Sequence, residues 1–120
     1  MSSKYSFPKS NRLGGQGTFK AILDLRVKFT RGPIVIFCKP NELPHPRMGI
    51  SIGRSVGTAA ARNRIKRLLR EAFRLMKHDW PRGYDLVIIV RPHKPMILAE
   101  YQKILSGSII KLHAAWEAKR

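Results

Sequence analysis

The sequence predicts an α+β fold in which helices pack on a small central sheet, and three observations carry that prediction. Ile65, Leu68, Leu69, Ala72, Phe73 and Met76 recur at the i, i+3, i+4 spacing of an amphipathic helix. Leu86 to Val90 is an unbroken apolar run, as a central strand buried on both faces requires. Met48, Ile50 and Ile52 alternate with Gly49, Ser51 and Gly53, the period of two of a half-buried strand. The chain has 120 residues, 43% of them apolar. That length and composition suit a single domain, residues 1–120, with one modest core.

Taken in order, residues 1–17 are loop-like, and the stretch Gly14-Gly15-Gln16-Gly17 is a poor helix entry. From Thr18 to about Lys28, Phe19, Ile22 and Leu23 fall at helical spacing and predict a short first helix, which Arg31-Gly32-Pro33 breaks. Ile34 to Cys38 is β-branched and aromatic and reads as a strand. Lys39 to Pro46, with three prolines, is a loop. After the alternating strand, Gly53 to Thr58 forms a loop that leads into the main helix, from about Ala59 to Lys77. Pro81 and Gly83 close that region, and Arg91-Pro92 stops the apolar strand. After Pro95, Leu98, Tyr101, Ile104, Leu105, Leu112 and Trp116 predict a final amphipathic helix, which Gly107 weakens by about 1 kcal/mol relative to alanine. Read residue by residue, the order is α, β, β, α, β, α.

Charge bounds the partner. Lys and Arg number 24 against 7 Asp plus Glu, a formal charge of +17. Such an excess repels itself in a compact state and calls for a polyanion, nucleic acid first and an anionic membrane surface second. No segment is apolar for long enough to span a bilayer, and Met1 to Lys9 has no apolar signal core. Cys38 is the only cysteine, so no intrachain disulfide and no paired-cysteine zinc site is available. Its apolar surroundings make it a small buried hydrophobe, and a cytoplasmic setting is expected.

The main helix holds the informative chemistry. Between Arg62 and Lys77 it carries Arg62, Arg64, Lys66, Arg67, Arg70, Arg74 and Lys77 against Glu71 alone. At about 100° per residue, Lys66, Arg67, Arg70, Arg74 and Lys77 share roughly a third of the circumference, opposite the apolar stripe. Arg62 and Arg64 flank that face in the first turn. Like charges at i, i+4 destabilise a helix, and the N-terminal turn is the wrong end for cations. A phosphate partner resolves both penalties, because guanidinium forks match phosphate oxygens. A merely solvated face would mix in more acids.

The run Arg62-Asn63-Arg64-Ile65-Lys66-Arg67-Leu68-Leu69-Arg70-Glu71-Ala72-Phe73-Arg74 closely resembles the signature helix of the bacterial ribonuclease P protein family. Gly49-Ile50-Ser51-Ile52-Gly53-Arg54, Gly57, Ala61, Phe19 and Tyr84-Asp85-Leu86-Val87-Ile88-Ile89-Val90-Arg91 extend the resemblance over roughly residues 11–116. It implies an α-β-β-β-α-β-α fold with a left-handed β-α-β crossover, against the usual right-handed rule. By position, it implies contact with a catalytic RNA subunit through Arg54, Arg62, Asn63, Arg64, Lys66, Arg67 and Arg70. It also implies a cleft for the 5′ leader of precursor tRNA at Phe19, Leu23 and Phe37. No further protein partner and no membrane contact are implied. Where the family often has two adjacent basic residues, this chain has Arg54-Ser55. Leu23 stands where an aromatic is common and Phe37 where a tyrosine is common, which implies redistributed leader stacking.

The residues themselves leave Phe19 and Phe37 open between base stacking, worth about 1–3 kcal/mol per base, and a place in the core. Phe73, Trp80, Tyr84, Tyr101 and Trp116 are assigned to packing. No catalytic group is expected on the chain. Asp24, Glu42, Glu71, Asp79, Asp85, Glu100 and Glu117 are scattered, whereas a two-metal nuclease clusters its carboxylates. His45, His78, His93 and His113 lack metal-ligand spacing and close acid partners, and are expected at the surface. The protein alone is expected to bind no metal or cofactor, with magnesium ions held at the RNA active site of a holoenzyme. Rival readings are a ribosomal-type RNA-binding protein, a metal-dependent nuclease and a DNA-binding regulator.

Overall fold

The computed structural model describes residues 12–14 and 16–119. Helix α1 (Gln16–Asp24) is followed by strands β1 (Lys28–Arg31), β2 (Ile34–Pro40) and β3 (Arg47–Ile52). A 3-10 turn (Arg54–Val56) then leads into helix α2 (Ala59–Met76) and a second such turn (Lys77–Asp79). Strand β4 (Tyr84–Val90) and helix α3 (Leu98–Glu117) complete the order α-β-β-β-α-β-α. The sheet runs β1-β2-β4-β3, with β1–β2 and β2–β4 antiparallel and β3–β4 parallel. The parallel pair is joined through α2, because a parallel connection needs a crossover.

Strand β1 is the element that the residue-by-residue reading misses, since it runs the first helix on to about Lys28 and assigns no strand before Ile34. The helix stops earlier because Arg26 takes a left-handed conformation, φ 58°. The chain then turns back through the two-residue loop Gly32-Pro33, with Gly32 at φ 58°, where glycine carries no steric penalty. Lys28, Thr30 and Arg31 are exposed and only Phe29 is half-buried. A polar edge strand of four residues therefore leaves no hydrophobic period to read. At the other end, α1 starts at Gln16, two residues before the expected Thr18. Of the expected loop 1–17, residues 1–11 and 15 lie outside the described ones, and Arg12 forms a bridge to Met48 on β3.

The two faces of the sheet follow the strand period. Ile34, Ile36 and Cys38 of β2 and Leu86, Ile88 and Val90 of β4 join the main core with α2 and α3. Ile65, Leu69, Ala72, Phe73 and Met76 are the buried stripe of α2. Tyr84, Tyr101 and Trp80 are buried in the same core, and Trp116 donates from Nε1 to the Cys38 carbonyl at 3.0 Å. Burial pushes the Cys38 thiol up to about 12, so it stays an unreactive hydrophobe. Gly107 does not interrupt α3. A Cβ there would lie 2.5 Å from Arg31 Nη1, so the missing side chain leaves room for the Arg31 guanidinium to lie against the helix.

The opposite face carries a smaller cluster. Leu13, Ile22 and Val87 are buried there, with Phe19, Leu23, Phe37 and Ile89 partly buried against them. The histidines depart from expectation. His45, His93 and His113 are half-buried, and only His78 is exposed. His93 Nε2 pairs with the Tyr101 hydroxyl and His113 Nδ1 with the Tyr84 hydroxyl, both at 2.8 Å. His113 Nε2 also lies 3.9 Å from the Glu117 carboxylate, an acid partner one helical turn away. Buried phenols need partners, and these rings supply them.

Candidate nucleic-acid interface

Helix α2 begins on a proper cap. Thr58 Oγ1 accepts from the Ala61 amide at 3.1 Å, satisfying one of the free donors of the first turn. From there the buried stripe fixes the rotation of the helix, and with it the direction of every cation. Asn63, Lys66, Arg67, Arg70, Glu71 and Arg74 line one open groove of about 370 Å³. Asn63, Arg67 and Arg70 are exposed and Lys66 is half-buried.

The other residues assigned to RNA contact surround this groove rather than line it. Arg62 lies on one flank and donates from Nε to the Gly57 carbonyl at 3.3 Å. Arg64 lies on the other flank, where its charge acts on the Tyr101 phenol of α3. Arg54 is exposed in the 3-10 turn ahead of the helix. Lys77, which the helical angle assigns to the basic face, falls in the turn after α2 and is buried. Burial first, and the Arg74 charge second, lower its ammonium pKa.

One carboxylate enters the groove. Glu71 accepts from Arg74 Nε at 3.0 Å and from Arg74 Nη2 as well, a two-pronged contact one turn apart. The hydrogen bonds from Arg74 hold the Glu71 carboxyl below its usual range. Arg74 is thus a pre-oriented cation, while Lys66, Arg67 and Arg70 form no ion pair among the described residues.

Across the sheet, Phe19, Leu23 and Phe37 come together in the smaller cluster, on α1 and β2. All three are half-buried: each packs against the cluster and keeps part of its surface exposed. Lys28 places its ammonium 5.6 Å from the centre of the Phe37 ring, within cation–π range. Lys28 pairs with Phe37, Thr30 with Val35 and Ser51 with Ile89, so these exposed residues share that face. The result is a partly exposed apolar patch beside α1, bordered by Lys28, Thr30 and Ser51.

Several residues of the cleft escape a sequence reading. Gly49 lets the Phe19 ring rest on β3, because a Cβ there would fall 2.6 Å from Phe19 Cε1 and closer still to Cζ. A glycine inside an alternating strand is the available signal for such a close approach. Asp85, buried on β4, takes Arg47 Nε at 2.8 Å and Nη2 at 2.6 Å, and Asn41 Nδ2 at 2.9 Å. That contact holds the β2–β3 loop against the sheet and raises the Arg47 pKa. No sequence pattern announces the pair, since 38 residues separate its members.

The remaining acids do not converge. Asp24 pairs with Lys20, and Glu42 and Glu117 with Arg82. Among the described residues no three His, Cys, Asp or Glu side chains are grouped to hold a metal ion, and no helix is long and apolar enough to cross a membrane.

Residues 7–113 match the family model described as Ribonuclease P. The chain is 42% identical over 89 residues to the ribonuclease P protein component of Photorhabdus laumondii, covering 73% of this chain and 74% of that one. It is also similar to two solved structures at 28% identity. A Staphylococcus aureus RNase P protein, a mutant with defective mRNA degradation activity, superposes with a TM-score of 0.74 over 84% of this chain and 86% of that one. The Thermotoga maritima RNase P protein does so with 0.72 over 82% and 94%.

Proposed function

We propose, from the premise that this chain belongs to the ribonuclease P protein family, that it is the RNA-binding subunit of a ribonuclease P holoenzyme that matures the 5′ end of tRNA. The observation that carries the reading is the main helix: one face is locked into the core, and the other presents Asn63, Lys66, Arg67 and Arg70 in a single groove. A rigid helix with its cations already aimed loses little entropy on binding a phosphate backbone. Arg54, Arg62 and Arg64 widen the same positive surface towards the catalytic RNA.

The cleft of Phe19, Leu23 and Phe37 holds the single-stranded leader of precursor tRNA. Half-exposed aromatic surface with lysine at its rim suits unpaired bases and their phosphates. In this reading the chain supplies no catalytic group. It screens repulsion between two polyanions and positions the substrate. Hydrolysis of the phosphodiester by water would fall to the RNA subunit and the magnesium ions it binds, and screening by the protein would favour their binding.

Reconstitution tests this directly. The protein alone should leave precursor tRNA intact. With the cognate RNA subunit at low magnesium it should restore cleavage at the 5′ end of the mature tRNA. Magnesium-dependent cleavage by repurified, RNA-free protein refutes the reading in favour of a nuclease. Tight RNA binding with no effect of a leader refutes it in favour of a ribosomal-type binding protein.

A further inference from the structure

Strand β3 is the outer strand of the sheet. Helix α2 packs on one face and α1 on the other, so the edge of β3 is the passage between the basic groove and the aromatic cleft. One side chain belongs to both places. Arg70 lines the groove of α2. It also lines a second cavity of about 190 Å³ with Arg12, Leu13, Phe19, Gly49 and Ile50.

That cavity is smaller than the roughly 300–1,000 Å³ of a drug-sized site, so it suits a single ring-sized group. The Phe19 ring reaches it only because Gly49 has no side chain. Arg12 gives it a second guanidinium, placed there by the bond from the Leu13 amide to the Met48 carbonyl at 2.9 Å. Arg70 is exposed and forms no ion pair or hydrogen bond among the described residues, unlike Arg74, which Glu71 holds. An aromatic ring beside an uncommitted guanidinium is the pairing that one nucleotide of single-stranded RNA fills, base on the ring and phosphate on the fork.

We propose that Arg70 grips a phosphate of the substrate strand, the one adjoining the base that rests on Phe19, and so guides the leader around the edge of β3 towards the catalytic RNA. This goes beyond the assignment of Arg70 to the RNA subunit, and it rests on the reading of Phe19 as part of the leader cleft. The alternative is that Arg70 contacts the RNA subunit alone, the role assigned to Arg67.

The test uses the reconstituted holoenzyme, with affinities measured for precursor tRNA and for mature tRNA lacking a leader. The variants are Arg70→Ala, Arg67→Ala and Phe19→Leu, the last keeping apolar bulk against Gly49 while removing the ring. Leaders carrying one neutral methylphosphonate at each successive position supply the second arm. Arg70→Ala should lower the leader-dependent affinity about five- to eightfold at 0.1 M salt, the share of one phosphate contact. One methylphosphonate position should erase that difference, because the charge that Arg70 grips is already gone. Arg67→Ala should weaken assembly with the RNA subunit and leave the leader dependence alone. If Phe19→Leu reduces leader dependence while Arg70→Ala does not, or if no single neutral phosphate masks Arg70→Ala, Arg70 is no substrate contact and the proposal is overturned. If Phe19→Leu itself leaves leader dependence intact, the cleft reading fails and takes the proposal with it.

Discussion

Adding one methyl group at Gly49 should separate the two proposed RNA-binding surfaces. An alanine Cβ there would lie 2.6 Å from Phe19 Cε1, against the 3.5–4.0 Å of an ordinary carbon contact, so the ring must retreat by about 1 Å or more. The obstacle is the far end of a side chain, and Gly49 is not among the glycines with positive φ, so the backbone of β3 accepts alanine. The cost is therefore that of an overpacked contact, about 1–3 kcal/mol. The Leu13 carbonyl, 3.3 Å from the same Cβ, holds the figure away from the bottom of that range. Chemical denaturation should show a lower midpoint with an unchanged slope, since the fold and its buried surface persist. In the holoenzyme the displaced ring should lose its stacked base, a penalty of about 1–3 kcal/mol in leader-dependent affinity. Binding to the RNA subunit should change far less, because Arg70 is the one groove cation that also borders the cavity holding the Phe19 ring. A Gly49→Ala protein with normal leader discrimination would falsify the placement of Phe19 in the leader site. One that loses RNA-subunit affinity instead would show that the two faces are not independent.

The other expectations are smaller. Phe73 is 1% exposed, so Phe73→Ala should cost about 3–5 kcal/mol, and half-buried Phe37→Ala about half of that with a selective loss of leader binding; equal costs with intact leader preference would make Phe37 a core residue. Arg62→Ala and Arg64→Ala should each lower the salt slope of RNA-subunit affinity by about 0.7–0.9 with melts nearly unchanged, and an unaltered slope in the double variant counts against both contacts. Glu71→Gln tests the pair with Arg74: the folded pKa of Glu71 is depressed, so its contribution is present above the usual 4.5 and disappears as pH falls through the folded value. Wild type should therefore melt slightly above Glu71→Gln at neutral pH and coincide with it in acid, the gap staying small because solvent screens the pair. A gap that persists at low pH would point to packing rather than charge.

What the sequence made legible follows from where each signal arises. Helix α2 was readable because its stripe is buried on one side only, so its period survives in the residues themselves. Strand β4 was readable as apolar on both faces because helices cover both. Strand β1 was not, because its charges face water and only the left-handed turn at Arg26 separates it from α1; the family resemblance, not the residue pattern, implied a third strand ahead of the main helix. In the site, helical angles put Lys66, Arg67, Arg70 and Arg74 on one face, and the four line one groove, but they overreached at Lys77, where the helix has already tightened into a 3-10 turn; Asn63, which lines the same groove, came from the resemblance alone. The Arg47–Asp85 bond and the seating of Phe19 on Gly49 join distant segments, and only the sheet register creates them.

The distribution of acids explains how a chain of net charge +17 can bind with geometry as well as with attraction. Asp24, Glu42, Asp85 and Glu117 each meet a basic partner away from the basic groove of α2, so they neutralise cations that do not face RNA there. Glu71 is the one carboxylate lining that groove, and it orients Arg74 rather than opposing the whole surface. The groove therefore keeps a concentrated positive field, which governs encounter and salt dependence. Its shape is set by the apolar stripe behind it, since rotating α2 to move a cation would expose Ile65, Leu69 and Phe73. At roughly 1.5–3 kcal/mol for each such side chain, that rotation costs more than any single exposed charge contact returns. In the proposed reading, specificity for a fixed array of phosphates thus derives from the core, and a stripe substitution that loosens α2 should blur RNA discrimination before it reduces attraction.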